Sequence, residues 1–64
     1  MKRKELISYL IMNGCEFLRE GSNHTIYVHL ENKTTSTIPR HNEIDDYLVR
    51  KICKDFNIKH PYKK

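Results

Sequence analysis

Between Gly14 and Pro39 the chain is divided into runs too short to be anything but strands. Cys15 to Glu20 alternates, with Cys15 and Phe17 on one side and Glu16 and Glu20 on the other, and Leu18 breaks the alternation. Gly21-Ser22-Asn23 is turn chemistry, and Thr25 to His29 is a β-branched and aromatic run that predicts a second strand. Leu30 to Lys33 carries Glu-Asn-Lys, a hairpin turn, and Thr34 to Ile38 is a third strand rich in threonine. Pro39 ends it, because proline has no N–H for the ladder. Three strands on such short connections can pair only as an antiparallel meander.

Helical patterns flank this block. Leu6, Ile7, Leu10 and Ile11 recur at helical spacing and predict a helix from about Lys4 to Asn13. Asn13-Gly14 ends it, since glycine takes the left-handed conformation without steric cost. On the far side Asn42 is a suitable N-cap, and Glu43, Asp45 and Asp46 complement a helix dipole. Ile44, Leu48, Val49, Ile52, Cys53 and Phe56 then fill one half of a helical wheel. Arg50, Lys51, Lys54 and Tyr47 fill the other half, and Asn57 is placed as a left-handed cap with Ile58 as its hydrophobic contact. The expected fold is α+β, in the order α-β-β-β-α. Both helices cover one face of a three-stranded antiparallel sheet and leave the other open. A single domain over residues 1–58 and a loose basic tail at 59–64 complete the expectation.

Size limits what such a domain does. A chain of 64 residues buries only about 60% of the surface its unfolded form exposes. With no Trp and two Phe, its core is a thin layer, too thin to enclose a small-molecule cavity of roughly 300–1,000 Å³. A substrate is therefore a large molecule lying across the surface. The formal charge of +4 and pI near 9.2 fit a polyanionic partner, an acidic protein or simply a solubilising surface. Cys15 and Cys53 stand far apart with no C-x-x-C pattern, and read as small buried hydrophobes in a reducing compartment. Lys2-Arg3-Lys4 before Leu6 to Met12 is too short and too polar for a signal peptide. The expected location is the cytoplasm, with no membrane attachment.

The most defined setting for a titratable group is Gly21-Ser22-Asn23-His24-Thr25-Ile26-Tyr27, where a polar turn delivers a histidine to the start of a strand. His24 and His29 are five residues apart in that strand and point to opposite faces, so they cannot chelate one ion together. No metal site or cofactor is expected. No Ser or Cys stands in a nucleophile-elbow or Cys–His context. Acid–base chemistry remains, because an imidazole is populated in both forms near neutrality. RNA carries its own nucleophile, the 2′-hydroxyl, and can be cut by a protein that only holds its backbone and moves a proton. From the residues alone His24 is open to two readings, a polar turn residue or this proton-transfer group. Arg19, Lys33 and Arg40, with Tyr27 as a stacking ring, are the candidates to line the open face or its rim, and Gly21 and Ser22 shape a turn whose N–H groups face phosphate.

These motifs, in this order, resemble HicA, the toxin of bacterial HicA–HicB toxin–antitoxin modules. The resemblance covers nearly the whole chain. It rests on Asn13-Gly14, Gly21-Ser22-Asn23-His24 with Ile26-Tyr27, Thr37-Ile38-Pro39-Arg40-His41, Leu48-Val49-Arg50-Lys51-Ile52 and Phe56-Asn57-Ile58. It implies a fold like the double-stranded-RNA-binding domain, an endoribonuclease that cuts mRNA, and a silencing HicB partner. It also implies that His24, at the family's Gly-Ser-x-His position, is catalytic. His41 matches a histidine after the family's proline and is the candidate second acid or base.

Two departures shape the expectation. Asn57 stands where the family's last helix usually meets glycine. Glu43, Asp45 and Asp46 stand where duplex-binding domains place phosphate-gripping lysines, so single-stranded or ribosome-exposed mRNA is the expected substrate. The alternative is a non-catalytic RNA-binding module of the same fold; a third reading is a protein whose basic surface serves only to bind an acidic partner.

Overall fold

Gly14 marks the first boundary, with a φ of 93° that only glycine adopts freely. In the computed structural model, which describes residues 1–62, five elements follow one another. They are α1 (Arg3–Met12), β1 (Cys15–Glu20), β2 (His24–His29), β3 (Thr34–Pro39) and α2 (Asp46–Asp55). The strands form one antiparallel sheet in the order β1-β2-β3, so the α-β-β-β-α order and the meander are as expected.

Register explains which side is covered. Cys15 pairs with His29 and Phe17 with Tyr27, and the register then slips before Arg19 pairs with Ile26. Leu18, the residue that interrupts the alternation, is the extra residue of this β-bulge. Across the other ladder Thr25 pairs with Ile38, Tyr27 with Ser36 and His29 with Thr34. Cys15, Thr25, Tyr27, His29, Ser36 and Ile38 are all buried, and this is the face beneath the helices. α1 packs on β1 and α2 on β3. Leu6, Leu10, Val49, Ile52, Cys53 and Phe56 close the layer from above as one cluster with the sheet residues. The opposite face carries His24, Ile26 and Val28 of β2 beside Arg19, Thr35 and Thr37.

Both helices differ in detail from the sequence pattern. α1 spans Arg3–Met12, shifted one residue toward the start, and Ile11 is 56% exposed because only Leu6 and Leu10 reach under the helix. α2 starts at Asp46, not after Asn42: its N-cap is Asp45, whose carboxylate accepts from the Leu48 N–H at 2.8 Å. The reason lies forty residues away. The Arg3 N–H donates to the Asn42 carbonyl at 2.8 Å and the Ile44 N–H to the Met1 carbonyl at 2.9 Å, which holds 42–44 extended. Ile44 is buried all the same. Glu43 thereby leaves the helix and bridges to Lys2. At the other end Asn57 takes a φ of 61°. The Ile58 N–H reaches the Cys53 carbonyl at 3.0 Å and the Asn57 N–H the Lys54 carbonyl at 2.9 Å, which is the Schellman pattern.

Cys15 and Cys53 are free, buried thiols. Burial, with Cys53 adding a charge effect, pushes Cys15 up to about 11, which keeps it from acting as a nucleophile. Of the tail expected to be loose, residues 59–62 lie against the helices: Tyr9 Oη donates to the Lys59 carbonyl, and Tyr62 Oη donates to Asp46 Oδ1 at 2.7 Å. The Tyr62 ring also lies 5.3 Å from the Arg50 guanidinium carbon. Lys63 and Lys64 lie outside the described residues.

Candidate active site

The β1–β2 turn is narrow. Glu20 pairs with Thr25, and the Gly21 N–H donates to the His24 carbonyl at 2.7 Å, leaving Ser22 and Asn23 as a two-residue loop. Gly21 does not have a left-handed φ. It is needed for space, because a Cβ there would stand 3.1 Å from the His24 carbonyl oxygen and 3.6 Å from Ile26 Cδ1. The turn therefore closes against the residue it presents.

Charges brace it from the β3 side. Arg40, one residue past β3, donates through Nη2 to the carbonyls of Gly21 at 2.9 Å and His24 at 3.3 Å. Its Nη1 donates to the Ser22 carbonyl at 3.2 Å. The same guanidinium pairs with the Glu20 carboxylate, which also accepts from Thr25 Oγ1 at 3.2 Å. Arg3, from the start of α1, donates through Nη2 to Thr25 Oγ1 at 3.0 Å and through Nε to the Pro39 carbonyl at 2.8 Å. The hydrogen bond from Arg40 holds the Glu20 carboxyl below its ordinary range; Thr25 and the charges of Arg40 and Arg3 add to this against a smaller desolvation cost. The turn before His24 is thus tied to both neighbouring strands and to α1.

His24 opens β2, is exposed, and faces Pro39 across the ladder. Its side chain belongs to the open face, with Arg19 one pair further along opposite Ile26. His41 is exposed in the loop two residues beyond Pro39, at the same end of the sheet. His29 points the other way, 5% exposed, with Nδ1 accepting from the Asn32 N–H at 3.0 Å. Among the described residues no three His, Cys, Asp or Glu side chains converge as a metal site.

Of the candidate RNA contacts, one lies on the covered face, one at the far end of the sheet, and one is already engaged. Tyr27 is 7% exposed on the helix-covered face, edge-on to Phe17, so it offers no ring to the open face. The reason is strand parity: His24 and Tyr27 are three residues apart and must face opposite ways. Lys33 sits in the β2–β3 turn with a φ of 59°, at the end of the sheet away from His24, roughly 17 Å or more along the strand. Arg40 is at the right place, but its guanidinium is occupied by the turn carbonyls and Glu20; it positions His24. Gly21, Ser22, His24, Arg19 and His41 remain grouped.

Sequence reasoning missed Glu20, Thr25 and Arg3. Glu20 carries no local signal beyond its outward place in a strand, and its partner Arg40 is twenty residues on. What the arrangement can do is present an exposed imidazole, on a turn with little freedom, to a molecule lying across the open face.

Among the described residues no helix is long and apolar enough to cross a membrane. A family model described as the HicA toxin of bacterial toxin-antitoxin matches residues 3–58. The match runs from the first residue of α1 to the Ile58 that closes the α2 cap, and encloses every element and the His24 turn. No curated protein and no solved structure matches the chain. Such a toxin has a cognate antitoxin as its partner. Over nearly its whole length, the chain belongs to the HicA family of toxins from bacterial toxin–antitoxin systems.

Proposed function

We propose that this toxin is a metal-independent endoribonuclease that cuts mRNA, and so stops translation, with His24 as its proton-transfer group. The observation that carries the reading is the exposed imidazole at the head of β2, on a turn held by Gly21, Arg40 and Glu20. The bonds of the turn end on the backbone carbonyls of Gly21, Ser22 and His24, and so fix the backbone from which the imidazole projects.

The chemistry needs little more. His24 takes the proton of a ribose 2′-hydroxyl, and the 2′-oxygen attacks the adjacent phosphorus. The bond to the 5′-oxygen of the next nucleotide breaks, and that oxygen receives a proton from the second acid, for which His41 is our candidate. The products are a 2′,3′-cyclic phosphate and a free 5′-hydroxyl, so protons and bonds balance with no redox step. Arg19 on the open face holds a phosphate of the bound strand. The silencing partner we assign is a HicB-type antitoxin in the same cytoplasm, with the toxin acting as one half of a type II module.

The test is chemical. Replacing the single ribose before the cleavage site by deoxyribose abolishes cleavage there, and cleavage of the all-ribose strand survives a chelator. Cleavage of the deoxy-substituted strand, or complete loss in chelator, sinks the mechanism. Salt-dependent binding of RNA that always stays intact would favour a non-catalytic RNA-binding module instead.

A further inference from the structure

The end of the sheet that carries His24 also carries a basic rim that this function does not yet use. A groove of about 400 Å³ is lined by Lys2, Arg3, Lys4 and Asn42. It is built from two segments far apart in sequence, joined by the Arg3 N–H to the Asn42 carbonyl at 2.8 Å. Arg3 fixes its position. Its guanidinium is bonded to the Pro39 carbonyl and to Thr25 Oγ1, and Pro39 is the cross-strand partner of His24 while Thr25 is its neighbour in the chain. The anchor of the groove thus reaches the same end of the sheet as His24, but from the helix-covered side, toward which Thr25 points.

With Arg3 used as the anchor, Lys2 and Lys4 are the cations available to a ligand. Lys4 is exposed and makes no ion pair among the described residues. Lys2 has only a 3.9 Å contact with Glu43, and the two side chains are 65% and 68% exposed. A pair so open to water contributes little, and its lysine can turn to a phosphate. Asn42 adds a side-chain amide beside them. Two exposed ammonium groups and an amide, with no aromatic floor, make a surface for backbone phosphate and not for a base.

We infer that Lys2, Lys4 and Asn42 form a phosphate-binding rim that receives the single-stranded RNA backbone as it leaves His24 and turns over the Pro39–Asn42 end of the sheet toward α1. The inference rests on the reading of this protein as an RNA-cleaving toxin, but concerns binding alone. The cations on α2 line a second groove, with Tyr47 and Asp55. Of these, Lys51 is paired with Asp55 at 3.3 Å and Arg50 lies over Tyr62.

The experiment uses the full chain carrying His24→Ala, so that RNA stays intact, and a fluorescent single-stranded RNA titrated at several salt concentrations. Lys2→Gln with Lys4→Gln weakens binding several-fold and lowers the slope of log affinity against log salt by about 1.4, or about 0.7 for each lost contact. Lys51→Gln with Lys54→Gln removes the same charge from α2 and leaves the slope unchanged. Equal losses from both pairs mean diffuse attraction and overturn the rim; an unchanged slope in the Lys2/Lys4 variant, or no RNA binding in the parent, overturns it too. RNA held through Lys2 and Lys4 by a protein that, with His24 restored, never cleaves would refute the nuclease reading and leave the rim standing. Cleavage indifferent to both lysines would do the reverse.

Discussion

Gly21→Ala separates the turn's contribution from that of the histidine. Gly21 is not left-handed, so alanine there meets no penalty of the roughly 1–2 kcal/mol that a left-handed position imposes. It also restricts the unfolded chain, a gain of about 0.4–1 kcal/mol. Against this, the new Cβ stands 3.1 Å from the His24 carbonyl oxygen, where ordinary contact begins at 3.4 Å. Both atoms are fixed to backbone across the 2.7 Å hydrogen bond that closes the turn, so the backbone itself must give by a few tenths of an ångström. Relieving such a contact costs about 1 kcal/mol, the lower end of overpacking penalties. The terms nearly cancel, and the melting temperature moves by less than about 8 °C, the shift of 1 kcal/mol in a domain this size. Activity does not cancel. Misplacement by 1 Å can cost about 100-fold, so a shift of about a third to a half of that lowers cleavage roughly fivefold to tenfold. Initial rates on a fluorophore–quencher RNA, beside thermal unfolding by circular dichroism, measure both quantities. Wild-type cleavage by the stable variant would refute the claim that turn geometry positions His24. A loss of stability above about 3 kcal/mol would refute the claim that the contact relaxes locally.

Two further outcomes follow from neighbouring residues. Tyr27→Phe leaves RNA binding and cleavage as they are, because the ring is in the core; Tyr27→Ala instead lowers stability by about 3–5 kcal/mol in a denaturant melt, and a folded Tyr27→Ala that lost only RNA affinity would put the ring back on the open face. Glu20 carries a pH signature. Its carboxyl is held below its ordinary value of 4.5, chiefly by the hydrogen bond from Arg40, so its contribution is complete above that value and is lost as pH falls through the lower folded one. The difference in melting temperature between wild type and Glu20→Gln is accordingly full at about pH 6 and shrinks toward about pH 3. A difference that is flat or grows on acidification contradicts the brace.

The sequence displays whatever is settled by near neighbours. Gly14, Asn57 and the residues of the two strand turns announce the element order because a left-handed φ or a tight turn is a local demand. The His24 turn is legible for the same reason. The start of α2 is not, because Asn42 and Asp45 are both good caps and the choice falls to the backbone bonds between 42–44 and residues 1–3. Tyr27 shows a second limit. Alternation says that it and His24 face opposite ways, but only the helices decide which face is covered. Arg40 shows the third: its charge is visible in the sequence, while its partners, the carbonyls of Gly21, Ser22 and His24 and the carboxylate of Glu20, exist only once β3 lies beside β2.

The central claim is that the His24 imidazole takes the proton that starts cleavage, and its most direct test is the cleavage rate of a folded His24→Ala toxin. His24 is exposed and its carbonyl, which the turn needs, is kept by alanine. The variant should melt near wild type and cut RNA slower by about 100-fold to 10,000-fold, the usual worth of a positioned acid or base. A His24→Ala protein with native circular dichroism that cleaves at the wild-type rate would contradict the account.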